Sequence, residues 1–219
     1  MEGNDDQIVI VYTSRIDWQP SPSPKVWRKR LELYGPSEAG RVTSVVRFEP
    51  NSRFATHDHP RGEEILVLDG TFSDEHGDYS RGSFLLNPEG FTHAPFSNGG
   101  CQLFVKLRQY PGPSRTKLQL HTDDLVWYPA AQDGVSMATL YGEPDYPERI
   151  RMACLQSGTS LRLGNAHGLE LFVLNGDLKH GCNRLTQGTW CRLQPGIPAC
   201  FHSSGGARCY IKSGHLSGA

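Results

Sequence analysis

Three histidines and a glutamate carry the chemistry of this chain. His57 and His59 stand two apart in His57-Asp58-His59-Pro60-Arg61-Gly62-Glu63, and His93 closes Pro88-Glu89-Gly90-Phe91-Thr92-His93. Residues at i and i+2 project from the same face of an extended strand, so one ion can be gripped by both without bending the backbone. A helix would splay them. Neutral imidazole suits zinc, iron, nickel, manganese or copper, and a carboxylate favours the harder members of that set. A single strand histidine is most often a packed or solvated side chain. Three of them with a carboxylate at this spacing point to a metal site with His57, His59, Glu63 and His93 as ligands to one divalent ion.

Short strands joined by turns must position these side chains. Pro60-Arg61-Gly62 is a turn signal that releases the apolar, β-branched run Glu63-Glu64-Ile65-Leu66-Val67-Leu68-Asp69-Gly70. A further strand, Gly82-Ser83-Phe84-Leu85-Leu86-Asn87, is broken by Pro88-Glu89-Gly90, which re-aims the chain before His93. Adjacent acids on a strand face opposite ways, so only one of Glu63 and Glu64 reaches the ion. The chain has 219 residues, with 24 glycines and 15 prolines, against usual shares of about 7% and about 5%. Short apolar runs recur at residues 8–12, 42–48, 102–107, 169–174 and 208–212, and no clean helical period does. The expected class is all-β.

Residues 51–70 and 82–97 resemble the two motifs of the cupin superfamily. That pattern runs from a glycine through His-x-His and Glu to a second glycine, then from a glycine through Pro-x-Gly and His to an asparagine. Here Asn51 stands for the first glycine and Ser97 for the last asparagine. More narrowly, residues 62–79 and 100–107 resemble the cupin domain of ChrR, the anti-sigma factor family. The resemblance implies a metal at His57, His59, Glu63 and His93, with zinc as the metal and iron, nickel or manganese as alternatives.

The chain also repeats itself. Moved forward by 106 residues, Gly62, Glu64, Val67, Leu68, Gly70, Gly82, Gly90 and Lys106 fall on Gly168, Glu170, Val173, Leu174, Gly176, Gly188, Gly196 and Lys212. Trp18-Gln19-Pro20 is echoed by Trp127-Tyr128-Pro129 at a slightly larger shift. This is a tandem duplication. The expected architecture is a bicupin of two tandem double-stranded β-helix (jelly-roll) barrels. A metal-binding cupin occupies residues 1–112 and a degenerate one residues 113–219, with the seam at Pro111-Gly112-Pro113-Ser114. The same shift carries the four ligands onto Leu163, Asn165, Leu169 and Ala199, so the second barrel is expected to hold no metal. It keeps Glu170 for Glu64 but has Leu169 for Glu63, which makes Glu63 the ligand and gives Glu64 a structural role, pairing with Lys106. His76, His167, Glu170 and His202 read as solvated or network residues.

A net charge of −1 argues against direct nucleic-acid binding, and the basic cluster Lys25, Arg28, Lys29 and Arg30 reads as a solvated strand face. No run has the length of a membrane span or a signal-peptide core, so a cytoplasmic protein is expected. Six cysteines without a Cys-x-x-Cys pair read as reduced, mostly buried thiols. Two functions fit the ligand set, so catalysis stays open. One is a zinc-loaded sensor of stress, redox state or a small molecule that acts in transcriptional regulation through a protein partner such as a sigma factor. ChrR-type anti-sigma factors carry a separate sigma-binding zinc domain, for which this sequence has no counterpart. The other is a non-haem iron dioxygenase cleaving a dicarbonyl or hydroxyketone, with phenylalanines 48, 54, 84, 91, 96 and 104 offering an apolar pocket. In a third reading the metal only staples the barrel, and a homodimer is compatible with each.

Overall fold

The computed structural model describes residues 7–216; the acidic start at residues 1–6 lies outside the described residues. Apart from a 3-10 turn at Thr13–Arg15, the regular elements among the described residues are strands, and all their pairings are antiparallel. The chain divides into two compact units, each a jelly-roll of the expected kind.

In the first unit the main sheet runs Leu118–His121, Ser83–Asn87, Glu63–Asp74, Cys101–Leu107, Arg41–Phe48, Val26–Tyr34, Gln19–Pro20. The long strand Glu63–Asp74 serves both sides of the barrel. Its first half pairs with Ser83–Asn87 and Cys101–Leu107, and its second half with Gly77–Ser80 and Phe96. The change of partner is made at Gly70, whose φ of 70° and 2.2 Å clearance from the Gly100 carbonyl to a would-be Cβ admit no side chain. Opposite the main sheet, Ser52–Arg53 pairs with Phe96–Ser97, and His57–Asp58 with Thr92–His93. Val26, Phe48, Ile65, Val67, Phe72 and Leu103 are among the buried side chains between the layers.

The second unit repeats this order with Thr189–Leu193, Leu169–His180, Ala207–Ser213, Arg149–Leu155, Val135–Tyr141 and Tyr128–Pro129. The register repeats too. Leu163 pairs with Ala199 as His57 pairs with His93, and Leu169 with Leu193 as Glu63 with Asn87. Glu64 lies directly across from Lys106, and Glu170 from Lys212, all four at most 1% exposed, as the repeat suggested.

Among the described residues, residues 16–124 form the first unit and residues 7–15 together with 125–216 the second, so the chain passes between the units twice. The cause is an exchange of edge strands. Ile8–Tyr12 pairs with Thr189–Leu193, which belongs to the second repeat, while Leu118–His121 pairs with Ser83–Asn87 of the first. Each exchanged strand covers an edge that would otherwise present unpaired backbone groups.

Candidate metal centre

The chain between the two motif histidines and Glu63 is a type II turn. Gly62 N–H donates to the His59 carbonyl at 3.0 Å, with Pro60 in the first central position and Arg61 at φ 64° in the second. A Cβ on Gly62 would stand 2.4 Å from the Tyr110 carbonyl and 2.8 Å from that of Asn87. This turn reverses the chain so that Glu63 starts its strand beside His59. The antiparallel partner of His57 is His93, and directly opposed side chains in such a pair are close neighbours.

The ligand atoms of His57, His59 and His93 lie within 4.8 Å of one another. Nε2 of His59 is 2.9 Å from Nε2 of His93, and Glu63 Oε2 is 3.5 Å from the former and 3.7 Å from the latter. His59, Glu63 and His93 are buried, and His57 is half-buried. Ring tautomers follow from the outward partners. His57 Nδ1 faces the Ala55 carbonyl at 2.9 Å and His93 Nδ1 faces the Asp74 carboxylate at 3.0 Å, neither of which can donate. Both Nδ1 atoms therefore carry the proton, and in the neutral rings both Nε2 lone pairs point inward. Two inward lone pairs, a third imidazole and a carboxylate oxygen converge on one point. At 2.9 Å the Nε2 atoms of His59 and His93 can share one proton, and the same group could hold a cation at a ligand reach of about 2.1 Å in its place.

Asp74, which the motif spacing did not single out, orients this group. Its Oδ2 accepts from His93, while Oδ1 accepts from the His76 N–H at 2.8 Å and the Tyr79 hydroxyl at 3.2 Å. Burial would raise the Asp74 carboxyl, but the His93 and His76 hydrogen bonds outweigh it and hold it below its ordinary value. Burial would lower His93, yet the Asp74 hydrogen bond and the Glu63 charge raise it. His59 is lowered, first by burial. Glu63 Oε2 also accepts from Asn87 Nδ2 at 3.1 Å, which fixes the carboxylate's rotation. One signal could have found Asp74: at the same shift of 106 it becomes His180, changing together with the ligands.

In the second unit the corresponding positions are apolar except for Asn165. Leu169, Leu193 and Ala199 belong to its hydrophobic core and Leu163 packs against it, while Asn165 donates to the Gln194 and Ile197 carbonyls. Glu170 accepts from Trp190 Nε1 and meets His215, and His202 meets Ser160. Among the described residues, the first unit's histidines form the one group of three or more His, Cys, Asp or Glu with metal-ligand proximity. Cys101, Cys191 and Cys209 are buried and Cys154, Cys182 and Cys200 exposed, none in a disulfide.

The histidines and Glu63 face a cavity of about 240 Å³. Val26, Val46, Phe48, Phe54, Ile65 and Phe72 give it apolar walls. Of the six phenylalanines proposed from sequence, only Phe48 and Phe54 line it; Phe84 and Phe104 are buried elsewhere. Arg28 and Arg30 also line the cavity, which corrects the reading of that strand as a solvated face. Alternation from buried Val26 turns both arginines inward, while Lys29 lies outside against the Trp18 ring.

Residues 6–111 match the family described as ChrR Cupin-like domain. No curated protein matches the chain. Among solved structures, a Nostoc punctiforme protein provisionally named a dioxygenase aligns at TM-score 0.79 and 13% identity, covering 99% of this chain and 86% of that one. The Escherichia coli pirin YhhW in complex with nickel(II) aligns at 0.71 and 12%, covering 94% and 98%. The Lactobacillus farciminis oxalate decarboxylase formate complex aligns at 0.67 and 10%, covering 98% and 88%. Identities this low speak for the fold alone, and they extend it over both units. Residues 6–111 of this cupin-fold chain thus resemble the ChrR-like cupin family, and within them His57, His59 and His93 stand close enough together to hold a metal ion.

Proposed function

We propose that the first unit is a metal-dependent small-molecule site. His57, His59, Glu63 and His93 hold one divalent ion, zinc in the first instance, and a compact molecule reaches it through the cavity. The observation that carries this reading is that the converging Nε2 and Oε2 atoms border a cavity rather than packed core. An ion that only stapled the barrel would need no such space. The volume falls below the about 300–1,000 Å³ of drug-sized sites, which favours a small guest.

The side chains have separable tasks. Asp74 keeps the His93 proton on Nδ1, Asn87 fixes Glu63, and Phe48, Phe54 and Phe72 exclude water from the approach. When bound, the ion would supply Lewis acidity; an ion with six coordination positions keeps two for a guest, and four-ligand zinc would admit one by expanding to five-coordinate. With the ChrR-like match, occupancy of the site becomes a signal passed to a protein partner such as a sigma factor or another regulator.

The mixed imidazole and carboxylate set beside an apolar cavity also favours a second reading, an iron dioxygenase cleaving a dicarbonyl or hydroxyketone. Metal analysis of protein purified without added metal, followed by oxygen uptake by the iron-loaded form with such compounds, separates the two. Full zinc occupancy without uptake removes the dioxygenase, uptake with iron replaces sensing by catalysis, and a protein that takes up no metal overturns both.

A further inference from the structure

The cavity carries a second recognition element that the metal ligands do not use. Arg28 and Arg30 turn their guanidinium groups into it from the strand Val26–Tyr34, with side chains only 20% and 21% exposed. One carboxylate spans both: Glu38 is bonded to Arg28 through both of its oxygens and to Arg30 Nη2 at 2.9 Å. Glu38 itself is 57% exposed and sits in the loop between two strands. Arg108 ties that loop down, donating to the Glu38 and Gly40 carbonyls at 2.9 and 3.3 Å. Arg28 Nε is buried without a hydrogen-bond partner. Three guanidiniums and the Glu38 carboxylate thus meet at this end of the cavity, with Asp58 and Glu63 lining it beside the histidines, and the guanidinium forks suit bidentate carboxylate recognition.

Register places this rim relative to the metal ligands. Arg30 lies across from Ser44, Ser44 from Val105, and Val105 from Ile65, two residues along the strand from Glu63. Three interstrand steps amount to about 14 Å along the curved wall. The arginines and the metal-site residues thus stand on separate strands of the wall, and a guest that uses both ends carries a second polar group on a short chain.

We propose that the cavity takes a small organic acid whose carboxylate docks on Arg28 and Arg30 while its other polar end faces the histidines, with Glu38 bridging the two arginines when no guest is bound. This deepens the small-molecule reading above and rests on it for the metal end only. The guest displaces the Glu38 carboxylate, which swings to solvent from its exposed position.

Titration calorimetry with succinate and glutarate, against their neutral diamides, tests it on metal-loaded and metal-stripped protein. The diacids are expected to bind more tightly than the diamides. Arg28→Gln and Arg30→Gln should each weaken diacid binding by about tenfold or more, and Glu38→Gln should tighten it several-fold by removing the competitor. Metal content, measured separately, should stay the same in all three variants. Diacid binding that survives in stripped protein and depends on the arginines upholds the rim even if the metal assignment fails. Equal binding of diamides, absence of diacid binding, or binding indifferent to both arginine substitutions overturns it.

Discussion

Replacing Asp74 by asparagine should weaken metal binding about 10- to 100-fold while leaving every ligand in place. The carboxylate is buried, 2% exposed, and holds three donors: His93 Nδ1 at 3.0 Å, the His76 N–H at 2.8 Å and the Tyr79 hydroxyl at 3.2 Å. An amide cannot satisfy them all. With its oxygen toward His93, its NH₂ meets the His76 N–H, leaving that donor unsatisfied. With its NH₂ toward His93, the ring must accept at Nδ1 and carry its proton on Nε2, aimed at the ion. Either outcome removes a charge-assisted hydrogen bond that raises ligand basicity, and the fold-change corresponds to about 1.4–2.7 kcal/mol. Competition against a chelator of known affinity measures it. Asp78→Asn is the control, since Asp78 accepts from Ser73 and does not touch His93. Affinity of Asp74→Asn within about threefold of the parent, or an equal loss in Asp78→Asn, would refute the assigned role of Asp74.

Other expectations follow from the same geometry. Gly62→Ala forces a Cβ to 2.4 Å from the Tyr110 carbonyl at φ 74°, costing about 1–3 kcal/mol in backbone strain alone, so thermal unfolding should move down by several degrees and metal affinity with it. An unchanged melting temperature would mean that the turn does not set Glu63. Protons compete with the ion for the imidazoles, and His93 is raised in the metal-free protein. Its contribution to metal-free stability is therefore present below its unfolded-state value and lost as pH rises through the raised one. Metal affinity runs the other way, falling by up to about tenfold for each pH unit of acidification per ligand that must be deprotonated. The metal-induced gain in melting temperature should accordingly grow from acid to neutral pH, and a gain that shrinks over that range would contradict protonation of the ligands. Leu169→Ala, at a fully buried position, should destabilise by about 2–5 kcal/mol without altering metal content; loss of the ion would mean that the second unit contributes to the site.

The grouping of the candidate ligands was legible because a strand writes its faces into the sequence with period two. His57 and His59 share a face and Glu63 and Glu64 cannot, and the repeat separated the two acids by keeping Glu170 and losing Glu63 to Leu169. The same periodicity hides which face is inside. Arg28 and Arg30 alternate with Lys29, so the pattern is equally consistent with a solvated face, and only the barrel's closure decides. Asp74 was hidden for another reason. It sits among Asp78 and Glu75 in an acid-rich turn, and its bond to His93 spans two strands whose register is set by distant contacts. The exchanged strands Ile8–Tyr12 and Leu118–His121 likewise depend on pairings more than a hundred residues away in one case and across the repeat seam in the other.

Metal analysis of the purified chain and of its His57/His59 double alanine variant tests the central claim most directly. One equivalent of divalent metal per chain in the parent, none in the double variant, and one in His167→Ala are expected. Two equivalents in the parent, or an equivalent retained by the double variant, would contradict a single site built on His57, His59, Glu63 and His93.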